Sequence, residues 1–176
     1  MNWCTLDEIL ESRDKRNAMR KILISRYGQC LVSFHLNIPG PVKDKLLYKI
    51  SLIEGQKALI NYLKKRCVRV VYDFIEFPKT GPEGVLIVKE KPMTLKNLLV
   101  DFESLHPLGR VFDLDVYTEK GLVSREDLKL EARRCYVCDD FAKVCARSKH
   151  HDINLIIQTI DEMMKQFHNN ESQREI

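Results

Sequence analysis

The chain lacks the features that would direct it into or across a membrane. Its start, Met1-Asn-Trp-Cys-Thr-Leu-Asp-Glu8, has neither the basic opening nor the apolar run of a secretory signal. No apolar stretch approaches bilayer-spanning length. Internal repeats, low-complexity tracts and linker-like segments are missing too. The 176 residues are therefore read as one domain, 1–176, with 169–176 a polar tail expected to fray. The aromatic-rich motifs of common RNA-binding modules are absent, and a formal net charge of +4 is no nucleic-acid signature by itself. These absences predict a cytoplasmic protein whose partners include neither nucleic acid nor a membrane. In that compartment the six cysteines are expected to stay reduced. Cys4, Cys30 and Cys67 stand alone and read as small buried apolar residues.

The hydrophobic pattern divides the chain into alternating helices and strands. Thr5-Leu-Asp-Glu8 has the form of a capping box, opening a helix that Gly28 ends. Residues 30–36 are rich in strand formers, and Pro39-Gly-Pro41 stops them. A second helix is expected over 43–65, with Gly55 a possible bend. Strands over 68–77 and 85–88 follow, joined by a turn at Gly81-Pro-Glu-Gly84. A third helix runs over 94–105, started by Pro92. A strand containing Asp113 and Asp115, a short strand over 122–124 and one last helix over 139–167 complete the series. The central order strand, helix, strand, strand, helix, strand is the split βαβ pattern. It predicts an α+β class: a mainly antiparallel sheet with a ferredoxin-like (βαββαβ) core, helices on one face, and extra N- and C-terminal helices.

Within Gly109-Arg-Val-Phe-Asp-Leu-Asp-Val-Tyr117, two carboxylates two residues apart share one face of a strand, and Phe112, Leu114 and Val116 point to the other. Aspartate is depleted in strands, so a pair of them asks for a reason. Two such carboxylates form a hard-oxygen site suited to Mg²⁺, and Mg²⁺ suits phosphate chemistry. The alternative is a half-exposed edge strand with two solvated aspartates.

Gly109 would let a phosphate approach the backbone, and Arg110 would grip its oxygens. Otherwise the two form a helix-to-strand turn. His106, ahead of a proline, reads first as a turn histidine and second as a general base. Arg125 is a further phosphate clamp by position, and Arg133-Arg134 a third basic cluster. Pro39-Gly-Pro-Val-Lys43 reads first as a rigid turn, with anion binding at the next helix's N-terminus the second reading. Asp73, Glu76 and Glu119 are candidates for a third metal ligand. Cys135-Tyr-Val-Cys138, Cys145 and His150 have the residue types for a Cys₃His zinc site. They equally suit buried thiols packing the last helix.

Taken together, several segments resemble one family. These are Ser12-Arg-Asp-Lys-Arg16, Leu31-Val-Ser-Phe34, Pro39-Gly-Pro-Val-Lys43, Gly81-Pro-Glu-Gly84, His106-Pro-Leu-Gly-Arg110 and Asp113-Leu-Asp-Val116. Ser124-Arg125, Arg133-Arg-Cys-Tyr-Val-Cys138 and Val144-Cys-Ala-Arg147 with His150 extend the match, which runs in order over residues 12–150. The family is apo-citrate lyase phosphoribosyl-dephospho-CoA transferase, or holo-citrate lyase acyl-carrier-protein synthase.

The resemblance implies a nucleotidyltransferase. Its donor would be 2′-(5″-triphosphoribosyl)-3′-dephospho-CoA, and its acceptor a serine of the apo acyl carrier (gamma) subunit of citrate lyase, with pyrophosphate released. Asp113 and Asp115 would then hold Mg²⁺ and serve catalysis. Arg110, Arg125, Lys43, Arg13, Arg16 and Gly109 are assigned to substrate by charge and position. The excess of basic residues would suit an acidic carrier. Two alternatives stand beside this reading: a related nucleotidyltransferase acting on another carrier, and a zinc-stabilised binding module.

Overall fold

A computed structural model describes residues 3–124, Leu128 and residues 132–174, the last four by backbone alone. Helix α1 (Leu6–Tyr27) begins on the expected capping box. The Thr5 hydroxyl accepts from the Glu8 backbone N–H, and the Glu8 carboxylate accepts from that of Thr5. It ends on Gly28, whose φ of 60° lets the chain leave the helix at low cost. Then come β1 (Cys30–Leu36), α2 (Leu46–Lys65), β2 (Arg69–Glu76), β3 (Glu83–Lys89), α3 (Pro92–Leu105), β4 (Phe112–Thr118) and β5 (Gly121–Val123). The chain closes with α4 (Ala142–Ser148) and α5 (Ile153–Arg174).

The five strands form one sheet in the order β2-β3-β1-β4-β5, and every neighbouring pair is antiparallel. The α+β class and antiparallel sheet read from the pattern are thus present. Alternation decides which face each residue serves. Val32 and Phe34 of β1, Leu86 and Val88 of β3, and Phe112, Leu114 and Val116 of β4 face a core closed by α2, α3 and α5. Gly55 does more than interrupt α2: a Cβ there would lie 2.7 Å from the Phe112 ring and 2.9 Å from that of Phe34. Its bareness lets the helix sit against two edge-to-face aromatics.

The opposite face is covered in part by α1, through Leu23 and Ile24 against Leu31 and Ile87. The N-terminal helix therefore lies across the sheet from the other long helices. Asp113 and Asp115 are on its side.

Several boundaries differ from the pattern. Helix α2 starts at Leu46, because Lys45 is its N-cap, and Lys43 belongs to the segment before it. The expected last helix is two helices. Lys149, at φ 48°, ends α4 in the left-handed conformation, and the chain turns before α5. Helix α5 then continues to Arg174, past Phe167, where the apolar spacing stops. Cys67, expected to be buried, is exposed in the turn between α2 and β2 with φ 59°. Among the described residues no helix is long and apolar enough to cross a membrane.

Candidate active site

The pairing register builds the site. Ser33 of β1 is opposite Asp115 of β4, and His35 is opposite Asp113. All four side chains project from the sheet face that α1 shares. The Asp113 side chain is 42% exposed and that of Asp115 33%, so both reach solvent from one side of their strand.

The pair stands between two clefts. One, of about 460 Å³, is lined by Lys96, Arg110, Arg133, Arg134 and Tyr136 beside both aspartates. The other, of about 420 Å³, brings Arg13, Arg16, Arg20, His35 and Tyr117 to the same carboxylates. A third cavity of about 240 Å³ lies beneath α1 with Leu23, Leu31, Phe74 and Val85 among its walls. It shares Arg16, Arg20 and His35 with the second cleft as lining residues.

Charge is distributed unevenly over the two carboxylates. Arg133 Nη1 is 3.0 Å from Asp113 Oδ1, while its Nη2 is 2.8 Å from Glu103 Oε1 at the end of α3. Lys96 is buried and donates to the Leu114 carbonyl at 2.7 Å, which leaves its Nζ 3.7 Å from Asp115 Oδ1. Burial and the neighbouring Asp113 charge hold the Asp115 carboxyl above the usual aspartate range, against the pull of Lys96, Arg133 and Arg20.

A polar relay supports the pair from β1 and α1. Ser33 Oγ is 2.8 Å from His35 Nε2 and accepts from Arg20 Nη2 at 3.1 Å. Arg20 also lies over the Tyr117 ring, 4.1 Å from its centroid. Arg16 donates to Ser12 Oγ at 2.9 Å and pairs with Glu83 at 3.2 Å. Burial, with Arg16 and Arg20 nearby, lowers His35 to about 4 although Asp113 pulls the other way, so the ring is neutral at neutral pH.

Of the residues singled out in the sequence, Asp113, Asp115, Arg110, Arg13 and Arg16 meet around these clefts. Arg110 is held in place by donating to the carbonyls of Arg134 and Cys135 at 2.7 and 2.5 Å. Lys43 lies to one side, its ammonium donating to the Ile38 carbonyl in a small niche it shares with Arg16 and His35. Gly109 has a packing reason: an added Cβ would fall 1.8 Å from the Glu103 carbonyl oxygen. Arg125 lies outside the described residues. His106 is a turn residue whose Nδ1 accepts from the Leu108 N–H, with its ring among Phe102, Phe112 and Phe167. Asp73 bonds Gln56 of α2, on the opposite face of the sheet from the pair.

Ser33, His35, Arg20 and Lys96 are site residues the sequence reading does not single out, and Arg133, read only as part of a basic cluster, pairs with Asp113. A signal for two of them was present: Ser33 and His35 alternate within β1 just as the aspartates do within β4.

Among the described residues no third carboxylate, histidine or thiol joins Asp113 and Asp115 in a metal-ligand cluster. Two part-exposed carboxylates, one of them under-neutralised, suit an ion that keeps several waters and takes further oxygens from a phosphate. That is the way Mg²⁺ is usually held.

Comparison with known proteins points to one family. A family model described as apo-citrate lyase phosphoribosyl-dephospho-CoA transferase matches residues 4–167. A protein of that name from Escherichia coli (strain SMS-3-5 / SECEC) is 34% identical over 161 residues, covering 91% of this chain and 88% of the relative. A namesake from Shigella boydii serotype 18 (strain CDC 3083-94 / BS512) matches with the same identity and coverage.

Proposed function

The chain belongs to the apo-citrate lyase phosphoribosyl-dephospho-CoA transferase family and is a transferase; from that premise we propose that it attaches the 2′-(5″-phosphoribosyl)-3′-dephospho-CoA group to a serine of the apo acyl carrier (gamma) subunit of citrate lyase. The donor is the corresponding triphosphate. The serine oxygen forms a bond to the α-phosphorus, the bond from that phosphorus to the β-phosphate oxygen breaks, and its electron pair departs with pyrophosphate. The serine proton must go to a base.

The observation that carries this reading is the aspartate pair, open to solvent on one face of β4 and flanked by arginine-lined clefts on both sides. Asp113 and Asp115 would hold a Mg²⁺ ion, which would supply positive charge for the triphosphate. Arg110 on one side, and Arg13 and Arg16 on the other, bind and orient the phosphate chain. Asp113 or Asp115, on the same face of the strand, would take the serine proton. The apolar cavity beneath α1 receives the adenine or pantetheine end of the donor, since it shares Arg16, Arg20 and His35 with the arginine-lined cleft beside the aspartates.

The test is a mass measurement. The chain is incubated with apo-carrier, triphosphate donor and Mg²⁺, and the carrier is weighed. A gain equal to the prosthetic group, with pyrophosphate released, is expected. No gain alongside an active control enzyme refutes the proposal. Modification of a different carrier in preference to the citrate lyase subunit would replace the acceptor while keeping the chemistry.

A further inference from the structure

Outside the aspartate clefts the described residues contain one cluster able to hold a metal: Cys135, Cys138, Cys145 and His151, whose ligand atoms all lie within 4.8 Å of one another. Zinc–sulfur bonds of about 2.3 Å and zinc–nitrogen bonds of about 2.0–2.1 Å place tetrahedral ligands roughly 3.5–3.8 Å apart. Cys138 and Cys145 sulfurs are 3.5 Å apart, and His151 Nε2 is 3.1 Å from the Cys138 sulfur. Shifts of a few tenths of an ångström, outward for these two pairs, would centre an ion among the four.

The backbone is arranged for this purpose. Arg134 and Phe141 form an antiparallel bridge, the Cys135 N–H donates to the Asp140 carbonyl at 2.7 Å, and the Val137 N–H points at the Cys135 sulfur at 3.5 Å. The two-cysteine turn thus presents its sulfurs toward α4, which brings Cys145. Sequence spacing had suggested His150 as the fourth ligand. The left-handed Lys149, with the His150 N–H bonded to the Cys145 carbonyl, leaves His150 exposed and turns His151 toward the thiols instead.

We propose that Cys135, Cys138, Cys145 and His151 bind one Zn²⁺ as a closed, structural site. All four positions are filled by protein, so the ion has no place for substrate. Its role is to fix one wall of the aspartate cleft. Arg133 precedes the first cysteine and pairs with Asp113, and the Cys135 carbonyl holds the Arg110 guanidinium. Tyr136, inside the two-cysteine turn, donates to the carbonyls of Asn37 and Arg110. Zinc binding is argued from this cluster alone and stands whether or not the chain modifies citrate lyase.

The test uses the full chain without a histidine tag, purified under reducing conditions from zinc-replete cells. Elemental analysis with native mass spectrometry should give one zinc per chain. Replacement by Co²⁺ should give the thiolate-to-cobalt charge-transfer band and intense visible bands of a tetrahedral site. His150→Ala should keep the full metal content, whereas His151→Ala should weaken retention against a competing chelator by at least about tenfold. Folded wild-type protein free of zinc overturns the proposal, as does a Cys138–Cys145 disulfide in place of the metal. Loss of zinc in His150→Ala with retention in His151→Ala overturns the ligand set. The wild-type stoichiometry and cobalt spectrum decide the matter even if a ligand variant fails to fold.

Discussion

His35 stands directly opposite Asp113 in the β1–β4 ladder, yet burial and two nearby arginines keep its imidazole neutral against the pull of that carboxylate. Unfolded, it would titrate near 6.5; folded, it titrates at about 4. Between those values the unfolded chain binds a proton that the folded chain does not. Stability is therefore lost as pH falls from about 6.5 to about 4. Because the ring is 23% exposed, a discounted loss of about 1–2 kcal/mol between pH 7 and pH 5 is expected. Urea unfolding at the two pH values measures it. In His35→Gln, this part of the acid sensitivity should disappear.

The carboxylate pair makes the sharpest prediction for activity. Asp113→Asn and Asp115→Asn keep size and hydrogen-bonding capacity but remove the charge that would hold Mg²⁺. Each should lower prosthetic-group transfer by at least about hundredfold at saturating donor. Circular dichroism and thermal unfolding should show a folded chain, because neither side chain belongs to the core. Full activity in either variant would remove that carboxylate from the mechanism.

Period-two alternation was enough to place both aspartates on one face and Phe112, Leu114 and Val116 in the core, because side-chain direction in a strand is a local property. Helix α1 was equally local, carrying its capping box and terminal glycine in the sequence. What opposes Asp113 and Asp115 depends on strand order and register, and neither Ser33 nor His35 names its partner. Arg133 is a stronger case. It lies 20 positions from Asp113, and the small bridged turn around the cysteines directs it back to the site. The single helix expected over 139–167 failed for a related reason. The break at Lys149 comes from a left-handed residue that is not glycine, so composition gave no stop signal there.

Gly109 separates a steric role from a binding role. The space a side chain would take is filled by the backbone carbonyl of Glu103, which cannot move without unwinding the last turn of α3. Gly109→Ala should therefore destabilise the protein by about 2–4 kcal/mol, read as a lower denaturation midpoint with an unchanged denaturant slope. If the glycine instead served only to admit a phosphate, stability would be unaffected and the KM for the donor would rise.

Asp115 carries the last prediction. Its carboxyl is raised first by burial and second by the charge of Asp113. A carboxylate raised in this way stays protonated in the folded state at pH values where the unfolded chain has released its proton. Relative to an ordinary aspartate, it therefore withdraws stability as pH rises through its folded pKa. Asp113→Asn removes the second cause and leaves the first, so Asp115 should titrate at lower pH in that variant while remaining above the usual range. Carboxyl-carbon NMR of selectively labelled protein, without Mg²⁺ or donor, follows the group directly and needs no turnover. Addition of Mg²⁺ to wild type should shift the same titration downward, since a bound cation favours the ionised form. A midpoint unmoved by both the substitution and the ion would show that the two carboxylates act independently and share no metal.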